Sequence, residues 1–86
     1  MKKVLSIAGS DCSGGAGIQA DLKTFSALGV FGMSVIVSVV AENTCQVLAI
    51  EDISPAMIRQ QLDAVFEDIT PAAVLRILRS LKDSRF

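Results

Sequence analysis

The chain has no histidine, tryptophan or tyrosine, and only two cysteines and two prolines in 86 residues. Without histidine there is no imidazole to activate a cysteine nucleophile or to complete a zinc site. Cys12 and Cys45 are too few and too far apart to hold a metal alone, and both are expected to be free thiols, as in a reducing compartment. No stretch approaches the run of about 18 apolar residues that a membrane helix needs. The nearest, Met33 to Ala41, is interrupted by serines. The start, MKKVLSIAG, enters a Gly/Ser loop where a secretion signal would need a longer apolar region, so a cytoplasmic protein with no membrane partner is expected. Charge of one sign is also missing: eight basic and nine acidic residues leave a net charge of -1, with no broad field to attract nucleic acid. Glu51, Asp52, Asp63, Glu67 and Asp68 cluster in one stretch, and Arg76, Arg79, Lys82 and Arg85 in another. Each reads as a solvated face or a partner surface. The basic group has no aromatic residue before Phe86, which argues against a stacking platform for nucleic acid.

What is abundant is apolar side chain, 51% of the residues with a mean hydropathy of +0.54. That richness suits elements buried on both faces. A chain of this length buries only about 60 to 65% of its unfolded surface, so the sequence reads as part of a larger α/β protein.

Val4 to Ala8 is short, apolar and β-branched at two positions, as a buried strand should be. Ile18, Leu22, Phe25 and Leu28 then recur at helical spacing, and Gly29 or Gly32 supplies the stop. The valine-rich run Met33 to Val40 favours a central strand, giving strand, glycine loop, helix, strand. Val47 to Ile50 is expected to form a short strand or extended segment. Ser54-Pro55 caps a second helix with the stripe Ile58, Leu62, Val65 and Phe66. Thr70-Pro71 repeats the cap, and Val74, Ile77, Leu78 and Leu81 predict a third helix, so residues 70–86 are expected to be a divergent helical tail that leaves nothing for the other edge of the sheet. Met33 and Met57 are expected to fill gaps in the core.

Residues 9–17, GSDCSGGAG, place four glycines in nine residues directly after the first strand. Such a loop brings backbone N–H groups close to a small ligand or a phosphate. As a P-loop it fails, because Gly15 stands where a lysine is needed and Ala16 where a Ser or Thr should hold magnesium. As a dinucleotide-binding turn, Gly15 to Ala20 matches G-x-G-x-x-A and Glu42 follows the second apolar strand, but six residues separate the first strand from the match. Asp11 and Ser13 are turn-stabilising candidates, Asp21 reads as a first-turn helix acid or a pocket contact, and Lys23 as a solvated helix residue.

The block IAGSDCSGGAGIQADLKTFSALGVFGMSVIVSVVAENT closely resembles the start of the hydroxymethylpyrimidine/phosphomethylpyrimidine kinases of the ribokinase-like superfamily, over about Val4 to Asp68. The resemblance implies an α/β fold, here a truncated ribokinase-like three-layer α/β/α arrangement with a mostly parallel sheet, residues 1–86 being the N-terminal portion of the kinase domain. It also implies ATP with magnesium as phosphate donor, a small pyrimidine as substrate in thiamin biosynthesis, and a homodimer. Gly9 and Ala16 stand where the family lines its pyrimidine pocket, Asp21 at the start of the helix behind it, and Glu42 where the family usually has a glutamine that reads the aminopyrimidine edge. Glutamine donates and accepts, whereas an ionised glutamate only accepts. No family motif for the ATP site or the hydroxyl-activating loop occurs in the chain, and TPAAVLRILRSLKDSRF stands where the family has a strand containing KIGML. The 86 residues alone are therefore expected to be inactive as a kinase. A non-catalytic interaction remnant and a Rossmann-type domain are the other readings.

Overall fold

A computed structural model describes residues 1–76. Its first strand, β1 (Lys3–Ala8), is central in a three-stranded parallel sheet of order β2-β1-β5, with β2 (Phe31–Ile36) on one side and β5 (Ala73–Arg76) on the other. Between β1 and β2 runs helix α1 (Gly17–Ala27). Strands β3 (Ser38–Glu42) and β4 (Val47–Asp52) form a separate antiparallel hairpin, and α2 (Pro55–Asp68) follows it. The result is a mixed α/β assembly in which the large sheet is parallel and the small one antiparallel.

Alternation along the strands explains the packing. Val4, Ser6 and Ala8 share a face with their β2 partners Gly32, Ser34 and Ile36. Helix α1 covers that face: a Cβ added at Gly32 would meet Phe25 at 2.9 Å and Leu22 at 3.0 Å, so the glycine is what lets the helix lie this close. Leu5 and Val35, one residue out of step, belong to the opposite face and are also fully buried. The sheet is thus covered on both sides at β1. Helix α2 is tied to the β2 edge by one amide side chain: Gln61 Nε2 donates to the Ile36 carbonyl and Gln61 Oε1 accepts from the Ile36 N–H, both at 2.9 Å. A glutamine here does for the edge strand what a neighbouring strand would do.

The expected single strand over Met33 to Val40 is two strands. Val37 lies outside both; its N–H bonds Ala8 and its carbonyl accepts from Ile53, so the chain leaves the parallel sheet there and enters the hairpin. The helix expected from Pro71 onward is not what Ala73 to Arg76 form. The free edge of β1 carries backbone groups that need partners, and Val4 to Ile7 find them in Ala73 to Arg76, while Ala72 N–H bonds the Lys3 carbonyl. Strand pairing overrides the local helical spacing, and the sheet gains the edge that the sequence seemed to lack. The rest of the expected helix, residues 77–86, lies outside the described residues. Gly29, with φ +75°, is the stop after α1, and Gly32 is part of β2. Met57 is exposed, contrary to its expected place in the core.

Candidate functional site

The glycine loop folds around one carboxylate. Asp11 is buried; its Oδ1 accepts from the Ser13 N–H at 2.9 Å and the Ser13 hydroxyl at 2.7 Å, and its Oδ2 accepts from the Gly15 N–H at 3.1 Å. Gly14 N–H bonds the Asp11 carbonyl, and Asp11 N–H bonds Gln19 Oε1. The amides of Ser13, Gly14 and Gly15 are therefore spent inside the loop and do not form a phosphate cradle. Lys23, expected to be solvated, donates to the Gly14 carbonyl at 3.0 Å and ties the loop to α1. The helix begins close against the strand end: Ile18 N–H bonds the Gly9 carbonyl at 2.9 Å, and a Cβ on Gly17, whose φ is +60°, would run into that same carbonyl. Only glycine suits this crossing.

The loop also runs along β3 like a short extra strand. Ser10 N–H bonds the Ser38 carbonyl, Ser10 Oγ accepts from Val40 N–H, and Cys12 Sγ contacts both the carbonyl (3.1 Å) and the N–H (3.3 Å) of Glu42. Residues 10 and 12 thereby fix residues 38, 40 and 42. At Glu42 the hairpin register shifts, since Ala41 pairs with Ala49 but Glu42 with Val47, leaving Leu48 extra. Such a bulge re-aims a side chain. The hairpin then closes on Asn43, whose Oδ1 accepts from the N–H groups of Cys45 and Gln46.

Between the loop, the hairpin and the start of α2 lies a cleft of about 920 Å³. Gly9, Ala16 and Glu42 line it together; Asp21 does not. Asp21 sits in the second turn of α1, and its Oδ2 accepts from the buried Ser6 hydroxyl at 2.6 Å, a bond that joins helix to sheet. The sequence reading missed other cleft residues. Asp11 was taken only as a turn former and Ser54-Pro55 only as a helix start, yet Asp11, Ser38, Asp52, Pro55 and Ile58 all reach the cleft. Val37, Val40, Val47 and Ile50 give it an apolar wall suited to a flat ring.

Asp11 and Glu42 both line this cleft. Asp11 titrates below the ordinary carboxylate value, chiefly because the Ser13 hydroxyl bonds it, against the opposing effect of burial. Glu42 titrates above it, first from loss of solvent, then from the negative charge of Asp11 and a hydrogen bond to Asp11. No group of three or more His, Cys, Asp or Glu able to hold a metal occurs among the described residues. With the loop amides already committed, these residues do not fit ATP and magnesium, and no phosphoryl-transfer step is assigned to them. Among the described residues no helix is long and apolar enough to cross a membrane.

A parallel α/β sheet with a glycine loop beyond β1 and a β hairpin beside the cleft defines the opening portion of the ribokinase-like fold. The comparisons give the family. A family profile for phosphomethylpyrimidine kinase matches residues 11–75. The hydroxymethylpyrimidine/phosphomethylpyrimidine kinase of Rhizobium meliloti (strain 1021) is 63% identical over 70 residues, which cover 81% of this chain and 26% of that protein. The crystal structure of a phosphomethylpyrimidine kinase from Clostridium difficile 630 superposes with a TM-score of 0.86 at 59% identity, covering 88% of this chain and 33% of that one. A pyridoxal kinase from Staphylococcus aureus in complex with pyridoxal matches at 38% identity and a TM-score of 0.79, covering 88% of this chain and 29% of that one. The chain belongs to the phosphomethylpyrimidine kinase family and spans about a quarter of the length of the curated relatives it matches. The Rossmann-type reading has no support in the geometry: Glu42 ends β3 of the hairpin, not the second strand of the parallel sheet.

Proposed function

We propose that these residues form the substrate-binding side of a kinase that phosphorylates 4-amino-5-hydroxymethyl-2-methylpyrimidine and its monophosphate, with ATP and magnesium, in thiamin biosynthesis. The observation that carries the reading is the meeting of Gly9, Ala16 and Glu42 in one cleft, in a chain so similar to kinases of that name. In this reading the apolar wall from Val37 to Ile50 takes the faces of the ring and Glu42 takes its polar edge. Asp21 supports the site from behind through Ser6.

The nucleotide, the magnesium ion and the group that activates the hydroxyl belong to sequence outside these 86 residues, so the chain alone binds the pyrimidine without transferring phosphate. Efficient phosphoryl transfer needs positioning, charge stabilisation and a placed nucleophile together. In this reading the protein works in the cytoplasm, acts on a small molecule and not on nucleic acid, and pairs as a homodimer through apolar surface such as that of the exposed β4.

Titration of the 86-residue chain with 4-amino-5-hydroxymethyl-2-methylpyrimidine, followed by two-dimensional NMR, tests the reading. Saturable shifts clustered on the amides of Gly9, Ala16 and Glu42 are expected, with pyridoxal shifting them less at equal concentration. A dispersed spectrum that the pyrimidine leaves unmoved overturns it.

A further inference from the structure

We propose that Glu42 and the ring nitrogen it faces share a single proton when the ligand binds, so that binding is proton-linked, and that Asp11 is the positioning residue that keeps this proton in place. The inference rests on the pyrimidine-binding reading and deepens it.

The argument starts from what Glu42 is attached to. Its backbone is gripped on both sides by Cys12 Sγ, at the carbonyl and at the N–H, so the residue is fixed to the glycine loop and not only to its own strand. Asp11, the neighbour of Cys12, lines the same cleft wall as Glu42. Asp11 already receives three hydrogen bonds, from Ser13 N–H, Ser13 Oγ and Gly15 N–H, all of which favour its ionised form. A negative charge nearby disfavours a second one, and of these two carboxyls the one without loop donors is the more readily protonated.

The surrounding charges reinforce this. Asp52, from the end of β4, lines the same cleft, and no lysine or arginine does so among the described residues. Lys23, beside the glycine loop, is bonded to the Gly14 carbonyl. Cys12 meets the Glu42 backbone, and Glu51 lines a different pocket together with Cys12. The groups facing Glu42 from the loop and the hairpin are thus acidic or neutral.

A heterocycle edge with a ring nitrogen beside an exocyclic amine offers one acceptor and one donor. A carboxylate offers only acceptors, while a carboxylic acid offers one of each. With one proton between them, the acid and the ring edge form two hydrogen bonds, the amine donating to one oxygen and the shared proton lying between the other oxygen and the ring nitrogen. When free Glu42 and the free ring are both unprotonated, that proton is taken from solvent. A neutral amide at the same position would need no proton.

The test is isothermal titration of the 86-residue chain with 4-amino-5-hydroxymethyl-2-methylpyrimidine from about pH 4, the ordinary carboxyl range, up to about pH 8. Each pH is run in two buffers of different ionisation enthalpy. The expected result is uptake of about one proton and a Kd that rises by up to about tenfold per pH unit above the Glu42 titration. The Glu42→Gln variant binds without that uptake, so the ratio of variant to wild-type Kd falls steadily as pH rises. Asp11→Asn moves the wild-type linkage to lower pH, whereas a merely structural role would weaken binding equally at every pH. A Kd ratio that stays constant across pH, with no difference in proton uptake, overturns the inference and leaves the pyrimidine reading standing. Absence of binding by both proteins at every pH overturns that reading, and this inference with it.

Discussion

The β1–α1–β2 unit and the β3–β4–α2 portion are drawn from similarly apolar sequence, yet they bury it to opposite degrees. Among the described residues, the five buried apolar ones, Leu5, Ala8, Ile18, Phe25 and Val35, all belong to the first. The second contributes none: every residue of β4 is exposed, and α2 has no buried residue. In the first unit α1 covers one face of the strands, and Leu5 and Val35 are buried on the other. The hairpin and α2 instead wall a cleft, to which Val47 and Ile50 contribute, and leave Val39, Leu48 and Phe66 exposed outside it. Apolar pattern therefore states which side chains favour burial, while topology decides what covers them. A patch of this kind calls for a partner surface, whether more of a longer chain or a second copy.

The largest expected effect falls in the first unit. Leu5 is fully buried on the central strand, and Leu5→Ala should destabilise the fold by about 3 kcal/mol from lost transfer energy and a residual cavity. In so small a domain that is a large share of the total stability. Urea unfolding followed by circular dichroism measures it. A loss of less than about 1 kcal/mol would mean that the β1 core does not carry the fold.

An intermediate effect belongs to the seam between the two regions. Gln61→Leu keeps the bulk of the side chain but leaves the N–H and carbonyl of Ile36 without their partners, which should cost about 1 to 2 kcal/mol. The change should also speed hydrogen exchange at Ile36 selectively. Uniform acceleration across the sheet would instead mark Gln61 as a general packing residue and weaken its description as an edge cap.

The first unit was largely legible in sequence because its signals are local. Val4 to Ala8 reads as a strand from composition, and Ile18, Leu22 and Phe25 fall on one helix face; Leu28, counted in that stripe, is exposed because it is the C-cap. The break at Val37 carries no glycine or proline and was invisible. What turns the chain there is bonding to Ala8 and Ile53, residues distant in sequence. Ala73 to Arg76 failed for the same reason: a spacing that fits a helix was overruled by the open edge of β1. In the site, Gly9, Ala16 and Glu42 were reached through resemblance to a family, not through spacing. The contacts that organise them, Cys12 to Glu42, Lys23 to Gly14 and Asp11 to the loop amides, are side-chain to backbone bonds. Of these only the turn around Asp11 and Ser13 has a sequence signature, because an aspartate two residues before its donor is a common local motif.

The smallest expected effect sharpens the comparison most. Phe66 is about half exposed on α2, and removing its ring takes little area out of the folded core. Phe66→Ala in the isolated chain should therefore change stability by no more than about 0.5 kcal/mol, as surface substitutions do. The same substitution becomes costly where something covers the helix, because an aromatic ring fully removed from water contributes about 2 to 3 kcal/mol. Measuring its unfolding midpoint at low and high protein concentration separates the cases. A midpoint difference between Phe66→Ala and wild type that grows with concentration assigns α2 to a contact between copies. A difference that stays near zero at every concentration leaves this face uncovered in the 86-residue chain.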